Sequence, residues 1–259
     1  MDRKEYWNNN YPEYWKKRVE EANQNKKIST LVQGDIVADS DKGYLDAINF
    51  LSPKKNDTIL EMGCGFGRSL PFLYKISKNI TAIDISEKMI EEVKNNYSKL
   101  KGIHYFACEA EKVPVASNSF SYIVCFAVFD ALYQDLALLE MNRLLKKDGK
   151  VLISGKNDNY HDDDDLAYVA EVNARNKHHP NYFTNIDLLL SGGIKKFGFE
   201  IEEIRYFEKR GDTKHNQYLK KKPEYFYEYI MVLKKIMNKK NIKIKISDKY
   251  SKTYYRKAI

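Results

Sequence analysis

Two periodicities alternate along the middle of the chain. Five apolar runs of strand length lie at 57–62, 79–84, 104–108, 120–128 and 150–154. Three segments with apolar residues at helical spacing lie between these runs, at 68–77, 86–100 and 135–146. This order predicts strands that alternate with helices. It therefore favours right-handed crossovers and a mostly parallel sheet with both faces covered.

The pattern differs on either side of this region. Residues 4–26 predict one or two aromatic, amphipathic helical turns, and residues 43–51 predict a further helix. After the fifth apolar run the pattern loosens, and it returns at 199–207 and 225–233 as a predicted antiparallel pair. The predicted organisation is an N-terminal helical cap at 1–52, a main domain at 53–235 with an insert at 155–195, and a basic C-terminal extension at 236–259.

Composition bounds the class of protein. With 259 residues, of which 43% are hydrophobic, the chain can bury one substantial core. No apolar stretch approaches the ~20 residues of a membrane-spanning helix, and the N-terminal MDRKEYWNNN lacks the apolar core of a secretory signal. Cys64, Cys108 and Cys125 lie inside apolar runs, which favours reduced cysteines in a cytoplasmic protein over a disulfide framework or a metal site.

Positive charge is concentrated near the C-terminus. The net charge is +8, and residues 201–259 hold 17 Lys or Arg against 7 Asp or Glu. Such a basic region can contact nucleic acid or anionic lipid. A solvated, lysine-rich surface explains the same count, and we favour this second interpretation because Lys and Asn are abundant throughout the chain.

A glycine-rich loop follows the first predicted strand. Gly63, Gly65 and Gly67 allow positive φ angles and let a ligand approach the main chain, at the carboxyl end of a strand where such sheets bind ligands. The spacing differs from the dinucleotide fingerprint Gly-x-Gly-x-x-Gly, and Glu61 would repel a pyrophosphate but attract a cationic ligand. Asp84 ends the second strand, where a carboxylate can accept hydrogen bonds from ribose hydroxyls.

Five ordered blocks resemble the class I S-adenosylmethionine-dependent methyltransferases. The blocks lie at 61–67, 82–86, 108–114, 119–124 and 140–153. The resemblance implies an α/β fold with a doubly wound, mostly parallel, seven-stranded Rossmann-like sheet, N-terminal helices and an insert after the fifth strand. It also implies S-adenosylmethionine (SAM) as cofactor and methyl transfer as activity. Such an enzyme mainly aligns its acceptor and excludes water, and it needs a base only when the acceptor must lose a proton.

Carried over by position, the resemblance implies how the loop and the second strand hold the cofactor. The backbone of Gly63, Gly65 and Gly67 would pass beneath the methionine and ribose parts. Glu61 would lie near the sulfonium end and the amino group, and Asp84 would bind the ribose hydroxyls.

The resemblance also assigns residues to the adenine. Ile85 and Met89 would lie against the ring, and Ala110 would supply a main-chain donor. Glu109 occupies a position where the family often carries Asp for the adenine amino group, so its arm is one methylene longer. Phe126, after the fourth strand, would line the pocket.

Residues of the acceptor site are expected after the fourth and fifth strands. Asp130 is a candidate base or substrate anchor, or alternatively a cap of the following helix. The insert carries His161, His178 and His179, which suit acid–base or polar substrate contacts; Asp130 and His161 are the predicted catalytic residues. The four consecutive acids at 162–165 lack metal-site spacing, so we favour a solvated loop or a helix N-cap and predict no metal.

Three segments are candidates to cover the bound ligand: the N-terminal helix, the loop at 34–41 and the insert. If the N-terminal helix folds over the site, Tyr14, Trp15 and Arg18 approach the cofactor's carboxylate. Alternatively, Trp7 and Trp15 simply pack on the sheet.

Two enzymatic functions and one non-enzymatic function remain as alternatives. The first is methyl transfer to the oxygen or nitrogen of a small polar, sugar-like metabolite. The second is modification of RNA or another macromolecule, with the basic stretch at 239–246 as an electrostatic grip; the third is a cofactor-binding regulator. We choose the first because residues 125–131 lack the Asn/Asp-Pro-Pro-Tyr/Phe motif of RNA enzymes. The expected partners are a small-molecule acceptor and, in a homodimer, a second copy of the chain, with neither nucleic acid nor a membrane.

Overall fold

A computed structural model describes residues 2–10, 12–13, 16, 42–67 and 69–257 of the chain. Within these residues, nine strands form one mixed sheet. The strands are β1 (Thr58–Met62), β2 (Asn79–Asp84), β3 (Ile103–Ala107), β4 (Phe120–Cys125), β5 (Leu145–Asn157), β6 (Phe183–Thr184), β7 (Phe199–Phe207), β8 (Glu228–Lys235) and β9 (Ser247–Asp248).

Seven of these strands form the main sheet in the order β3-β2-β1-β4-β5-β8-β7. The first five are parallel, and β8 lies antiparallel between β5 and β7. The predicted fold class, including the antiparallel pair, is therefore confirmed. Two short strands were not predicted: β6 pairs with Lys156 and Asn157 at the end of β5, beyond the end of β4, and β9 pairs antiparallel with β6.

Helices cover the sheet and its carboxyl edge. In the described residues they are α1 (Arg3–Asn9), α2 (Lys42–Leu51), α3 (Leu70–Ile76), α4 (Glu87–Asn96), α5 (Gln134–Leu144), α6 (Asp165–Asn176), α7 (Ile186–Leu188), α8 (Ile194–Lys196), α9 (Asp212–His215) and α10 (Lys252–Lys257). A 3-10 turn spans Phe129–Ala131, and a π-helical turn spans Leu189–Gly193. None of the helices in these ranges is long and apolar enough to cross a membrane.

Several predicted boundaries are wrong. The strand predicted at 120–128 ends at Cys125, and the helix predicted at 86–100 ends at Asn96. The sequence predicts a helix to residue 146 and a strand from 150, whereas α5 ends at Leu144 and β5 begins at Leu145. Leu145 pairs with Phe120, and the pairing then shifts so that Lys150 opposes Tyr122. The intervening polar residues therefore form an irregularity within the strand.

Alternate residues of the central strands face two separate cores. In β5, Val151 and Ile153 belong to one core and Leu152 to the other, as expected for a strand whose side chains alternate between the two faces of the sheet. Helix α5 packs into the first core through Met141, and α2 packs into the second through Ile48. Burial on both faces explains why the strands are nearly continuous apolar runs.

The C-terminal residues are integrated into the fold. Ile246 is fully buried, and Ile242 and Ile244 pack against the first core, while the lysines between them are exposed. Beyond β9, the Thr253 hydroxyl at the start of α10 donates a 2.7 Å hydrogen bond to the carbonyl of Tyr160. Residues 236–257 of the predicted extension thus contact both the main core and the insert.

Candidate active site

The glycine loop turns the chain sharply between β1 and α3. The amides of Gly63 and Cys64 both donate to the carbonyl of Ile83 at 2.8 Å, which fixes the loop to β2. Gly63, Gly65 and Gly67 have φ angles of 76°, 51° and 79°, in the left-handed region that side chains disfavour. The sequence pattern therefore reflects a backbone requirement at all three positions.

The three glycines differ in what surrounds them. A Cβ at Gly63 would lie 2.5 Å from a methyl group of Val128, and one at Gly67 would lie 2.4 Å from a methyl group of Val93. A Cβ at Gly65 would meet no atom within 4 Å. Gly63 and Gly67 are thus required for packing, whereas Gly65 leaves open space.

Asp84 is fixed beside this space. Its carboxylate accepts hydrogen bonds from the amides of Gly65 and Ser86, each at 2.9 Å. Burial raises the pKa of the Asp84 carboxyl, while the backbone donors act to lower it. Since each carboxylate oxygen has two lone pairs, the residue can still accept bonds from ligand hydroxyls.

A cavity opens above Gly65 and Asp84. With its mouth it encloses about 650 Å³. We call it the first cavity. It is lined by Arg3, Trp7, Gly63, Gly65, Ile83, Asp84, Ile85, Ser86, Met89, Cys108, Ala110, Ala127, Val128, Ala131 and Leu132.

The structure brings six of the ten predicted cofactor residues to this cavity: Gly63, Gly65, Asp84, Ile85, Met89 and Ala110. Gly67 packs beneath the loop, and Glu61 is buried there, where its carboxylate accepts a hydrogen bond from the hydroxyl of Ser69. Glu109 is exposed and Phe126 packs against the second core, and neither is among the lining residues.

Helix α1 lies over the first cavity, although it is far away in sequence. Arg3 forms a bidentate ion pair with Glu111 at 2.5 and 2.7 Å, and its guanidinium stacks 4.5 Å from the ring centre of Tyr133. At the next turn, the ring of Trp7 lines the cavity and contacts the ring of His179 edge-on, with 4.9 Å between centroids. The N-terminal helix therefore joins the first cavity to the insert.

A second cavity lies between α1, the insert and the ends of β5 and β8. With its mouth it encloses about 1510 Å³. We call it the second cavity. Its lining residues are Tyr6, Asn10, Lys156, Ala170, Glu171, Asn173, Ala174, Lys177, His179, Asn181, Arg210 and Tyr227.

Asp130 lies beneath this cavity in a buried ion pair. Its Oδ2 is 2.5 Å from Nζ of Lys156, and Lys156 also donates to Oδ1 of Asn181 at 2.8 Å. Burial tends to raise the pKa of Asp130, but the charge and hydrogen bond of Lys156 outweigh it, so that this pKa is lowered. The alternative that Asp130 caps the next helix is wrong, because the N-cap of α5 is Tyr133.

The histidines of the insert lie in different places. His179 lines the second cavity, and its Nδ1 is 3.0 Å from the hydroxyl of Tyr6. Burial and the nearby charge of Lys156 lower the pKa of His179 to about 4, so its ring is neutral at pH 7. His161 instead lies 3.8 Å from Glu208 and packs against Tyr225, and it is not among the residues lining either cavity.

Several predicted features fall elsewhere. Tyr14, Trp15, Arg18 and the loop at 34–41 lie outside the described residues. In the acidic run, Asp164 caps α6 by accepting a 3.0 Å hydrogen bond from the amide of Ala167, as expected for a helix N-cap. Within the described ranges, no group of three or more His, Cys, Asp or Glu side chains is arranged to hold a metal ion.

Among the cavity residues that the sequence did not predict are Arg3, Lys156 and Arg210. Each reaches its place through contacts with residues that are distant in sequence, such as Glu111 for Arg3. Their sequence neighbourhoods carry no motif, so no local signal could have identified them.

Comparison with known sequences identifies a methyltransferase domain at residues 60–153. The chain is 28% identical over 102 residues to the uncharacterized methyltransferase YodH of Bacillus subtilis, covering 39% of this chain and 44% of that protein. It is 31% identical over 103 residues to a demethylmenaquinone methyltransferase of Staphylococcus aureus, covering 38% and 43%. The match therefore spans less than half the length of these curated relatives.

Solved structures share the fold. A SAM-dependent methyltransferase of Thermotoga maritima aligns over 90% of this chain and 99% of its own, with a TM-score of 0.60 and 19% identity. A SAM-dependent methyltransferase of Methanosarcina mazei aligns over 73% and 97%, with a TM-score of 0.53 and 17% identity. At these identities the likeness establishes the fold.

Proposed function

We propose that this chain, a class I SAM-dependent methyltransferase by its fold and by its domain at residues 60–153, methylates an oxygen or nitrogen of a small polar metabolite. One observation carries the proposal. The first cavity, built on Gly65 and Asp84, lies beside the second cavity, and the rings of Trp7 and His179 meet between them. A nucleoside cofactor and a separate acceptor thus each have a place.

The residues of the first cavity fit SAM. The open space at Gly65 admits a ligand against the main chain, and Asp84 offers carboxylate oxygens for the ribose hydroxyls. Ile85 and Met89 present apolar surface for the adenine. When bound, SAM supplies an electrophilic methyl group, so that the protein's main tasks are to align the acceptor and to exclude water.

In the second cavity, His179 and Asp130 have different roles. His179 is neutral at pH 7 and held by Tyr6, so its ring can accept or donate a hydrogen bond at the acceptor's hydroxyl or amine. Asp130 is ion-paired with a lowered pKa, which makes it a weak base, and we assign it the task of positioning Lys156. The catalytic role predicted for His161 stays a prediction, and His179 is the better-placed histidine.

The small-molecule proposal is supported by the environment of the C-terminal cations. Lys252 lies 3.1 Å from Asp158, Arg256 lies 2.9 Å from Asp162, and α10 packs on the insert. These contacts pair two cations of the basic region at 201–259, which lie beyond the stretch at 239–246. The sugar-like acceptor predicted from the polar insert is consistent with the asparagines that line the second cavity.

Calorimetry tests cofactor binding first. S-adenosylhomocysteine, the demethylated product, is titrated into the wild type, Asp84→Asn and the matched control Asp163→Asn, which removes an exposed acid paired with Lys209. We expect binding by the wild type and the control and a loss of at least about tenfold in affinity for Asp84→Asn, because hydrogen bonds to a charged acceptor are worth about 1.5–3 kcal/mol. No binding by folded wild type would refute the proposal.

Incorporation of a labelled methyl group then tests the acceptor. The protein is incubated with labelled SAM and either a pool of cell metabolites or a pool of RNA. We expect label in the metabolite pool. Label in RNA alone would favour the macromolecular alternative, and cofactor binding without turnover on either pool would favour the regulator.

A further inference from the structure

Three cations reach the wall of the second cavity. They are Lys156 from the end of β5, Lys177 after α6 and Arg210 after β7. Within the described residues, neither Arg210 nor Lys177 has a carboxylate within the 4.0 Å of an ion pair. Cations that face a cavity without a direct ion-pair partner are suited to an anionic ligand.

Arg210 has hydrogen-bonding capacity to spare. Its backbone amide donates to Asp164 at 2.8 Å, which fixes the chain, and Nη1 donates to the hydroxyl of Tyr227 at 3.0 Å. A guanidinium carries five N–H donors in a planar fork. Among the described atoms, the contact with Tyr227 is the guanidinium's one side-chain hydrogen bond, and four donors remain for a ligand. Such a fork matches the oxygens of a carboxylate or a phosphate.

Lys156 is held in a fixed position by its partners. Two of its three donors are used by Asp130 and Asn181, at 2.5 and 2.8 Å, and its side chain retains 19% of its exposure. The third donor remains for a ligand in the cavity that Lys156 lines. Because Asp130 already offsets the cost of burying this charge, the ammonium stays protonated when no ligand is bound.

The two cations line the same cavity, and the charges around them bear on whether an anion binds beside them. The charge of Arg210 acts to lower the pKa of Lys156. Asp130 outweighs this effect, so the pKa of Lys156 is raised overall. Besides Asp130, Glu228 is an acid whose charge acts on both cations, and its carboxylate accepts a 3.3 Å hydrogen bond from Thr213. Burial raises the pKa of Glu228, although the charges of Lys156 and Arg210 oppose the effect.

We propose that the second cavity binds an anionic group of the methyl acceptor, a carboxylate or a phosphate, between the guanidinium of Arg210 and the ammonium of Lys156. The identification of the ligand as the acceptor rests on the proposed function. The substrate is then a small acid whose methylated oxygen or nitrogen lies on the side of the molecule nearer to the first cavity. Neutral sugars and simple amines are excluded as the preferred substrates.

The test uses two probes, inorganic phosphate and succinate, in the presence of saturating S-adenosylhomocysteine at constant ionic strength. Binding is followed by phosphorus NMR for phosphate and by saturation-transfer NMR for succinate. The variants are Arg210→Gln and the double variant Asp130→Asn/Lys156→Met, which removes both charges of the buried pair together. Lys209→Gln is the matched control, because it removes one positive charge from the next residue, which pairs with Asp163.

We expect saturable binding of at least one probe to the wild type and to Lys209→Gln. Arg210→Gln is expected to weaken that binding at least about tenfold, and the double variant is expected to weaken it likewise. A preference for phosphate would identify a phosphomonoester acceptor, and a preference for succinate would identify a carboxylic acid.

Other outcomes overturn the inference. It is refuted if neither probe saturates the wild type while S-adenosylhomocysteine binds, and this result leaves the proposed function standing. It is also refuted if Lys209→Gln weakens binding as much as Arg210→Gln, because the anion then senses only the overall charge. If the probes bind and the nucleoside does not, the anion site stands and the proposed function fails.

Discussion

Replacing Gly65 by alanine should affect cofactor binding and the stability of the fold to different extents, so that the two effects can be measured separately. A Cβ at this position meets no atom within 4 Å, and Gly65 lines the first cavity, so the new methyl group would occupy space assigned to the cofactor. The neighbouring Gly67 differs, because its Cβ would lie 2.4 Å from Val93 and 2.7 Å from Tyr97 in the second core. The two substitutions are chemically identical but should fail in different ways.

The magnitudes follow from the backbone. At Gly65 the φ angle is 51°, and placing alanine in the left-handed region costs about 1–2 kcal/mol. In a chain of this size such a cost lowers Tm by about 2–8 °C. Overlap with the ligand is expected to weaken binding of S-adenosylhomocysteine at least about tenfold, which corresponds to about 1.4 kcal/mol. Gly67→Ala adds overpacking of about 1–3 kcal/mol to the same backbone strain.

Thermal unfolding and calorimetry on matched variants measure both effects. Gly211→Ala is the control, because Gly211 also has a positive φ angle, of 101°, and no atom within 4 Å of its Cβ, but does not line the first cavity. We expect this control to lose stability without losing affinity, and Gly65→Ala to lose affinity with a similar loss of stability. Wild-type affinity in folded Gly65→Ala would refute the assignment of the first cavity to the cofactor.

Three further predictions concern buried polar groups. Lys156→Met alone should destabilise the fold by about 3–5 kcal/mol in urea unfolding, because it leaves the buried carboxylate of Asp130 without its partner, and adding Asp130→Asn should recover most of the loss. The folded-state pKa of Asp130 lies below its unfolded value, near 3.9. The ionised carboxylate therefore stabilises the fold above the unfolded pKa, and this stabilisation is lost as the pH falls through the folded pKa. The double variant, which lacks this carboxylate, should lose less stability than the wild type between pH 5 and 3. Tyr160→Phe should cost about 1–3 kcal/mol in the same assay, because the Tyr160 hydroxyl donates a buried 2.6 Å hydrogen bond to Glu171, and an unchanged midpoint would contradict it.

The regular part of the fold was predictable because both faces of its strands are buried. Strands such as β2 are apolar runs bounded by polar residues, and its bounds agree with those predicted from the sequence. The glycine loop was predictable for a different reason. Positive φ angles at Gly63, Gly65 and Gly67 favour glycine whatever the distant contacts are. In both cases a local physical requirement determines the residue type.

An alternation of apolar and basic residues near the C-terminus was present in the sequence, but it was interpreted only as positive charge. Ile242, Ile244 and Ile246 alternate with exposed lysines, which is the period of a strand with one buried face. Counting positive charges concealed this period, because the lysines dominate the composition. The basic stretch is therefore the solvated side of an apolar contact with the main core.

The placement of the insert was not predictable, because it depends on pairing between distant residues. His161 and His179 have the same residue type in the same polar segment, and no local pattern distinguishes them. The pairing of Lys156 with Phe183, in β5 and β6, brings the chain before β6 back over the sheet, and the amide of Tyr182 then donates to the carbonyl of Asp130 at 2.7 Å. His179 follows into the second cavity, whereas His161 remains with Glu208.

Most of the cavity-lining residues that could be predicted from the sequence line the first cavity, and most residues of the second cavity could not be predicted from it. Most of the first cavity is built from residues within the methyltransferase domain at 60–153, and every residue that lines the second cavity lies outside it. Under the proposed function, the first cavity holds the nucleoside and the second cavity holds the acceptor. If the acceptor binds in the second cavity as proposed, the charges of Lys156 and Arg210 constrain its identity directly, because both residues line that cavity.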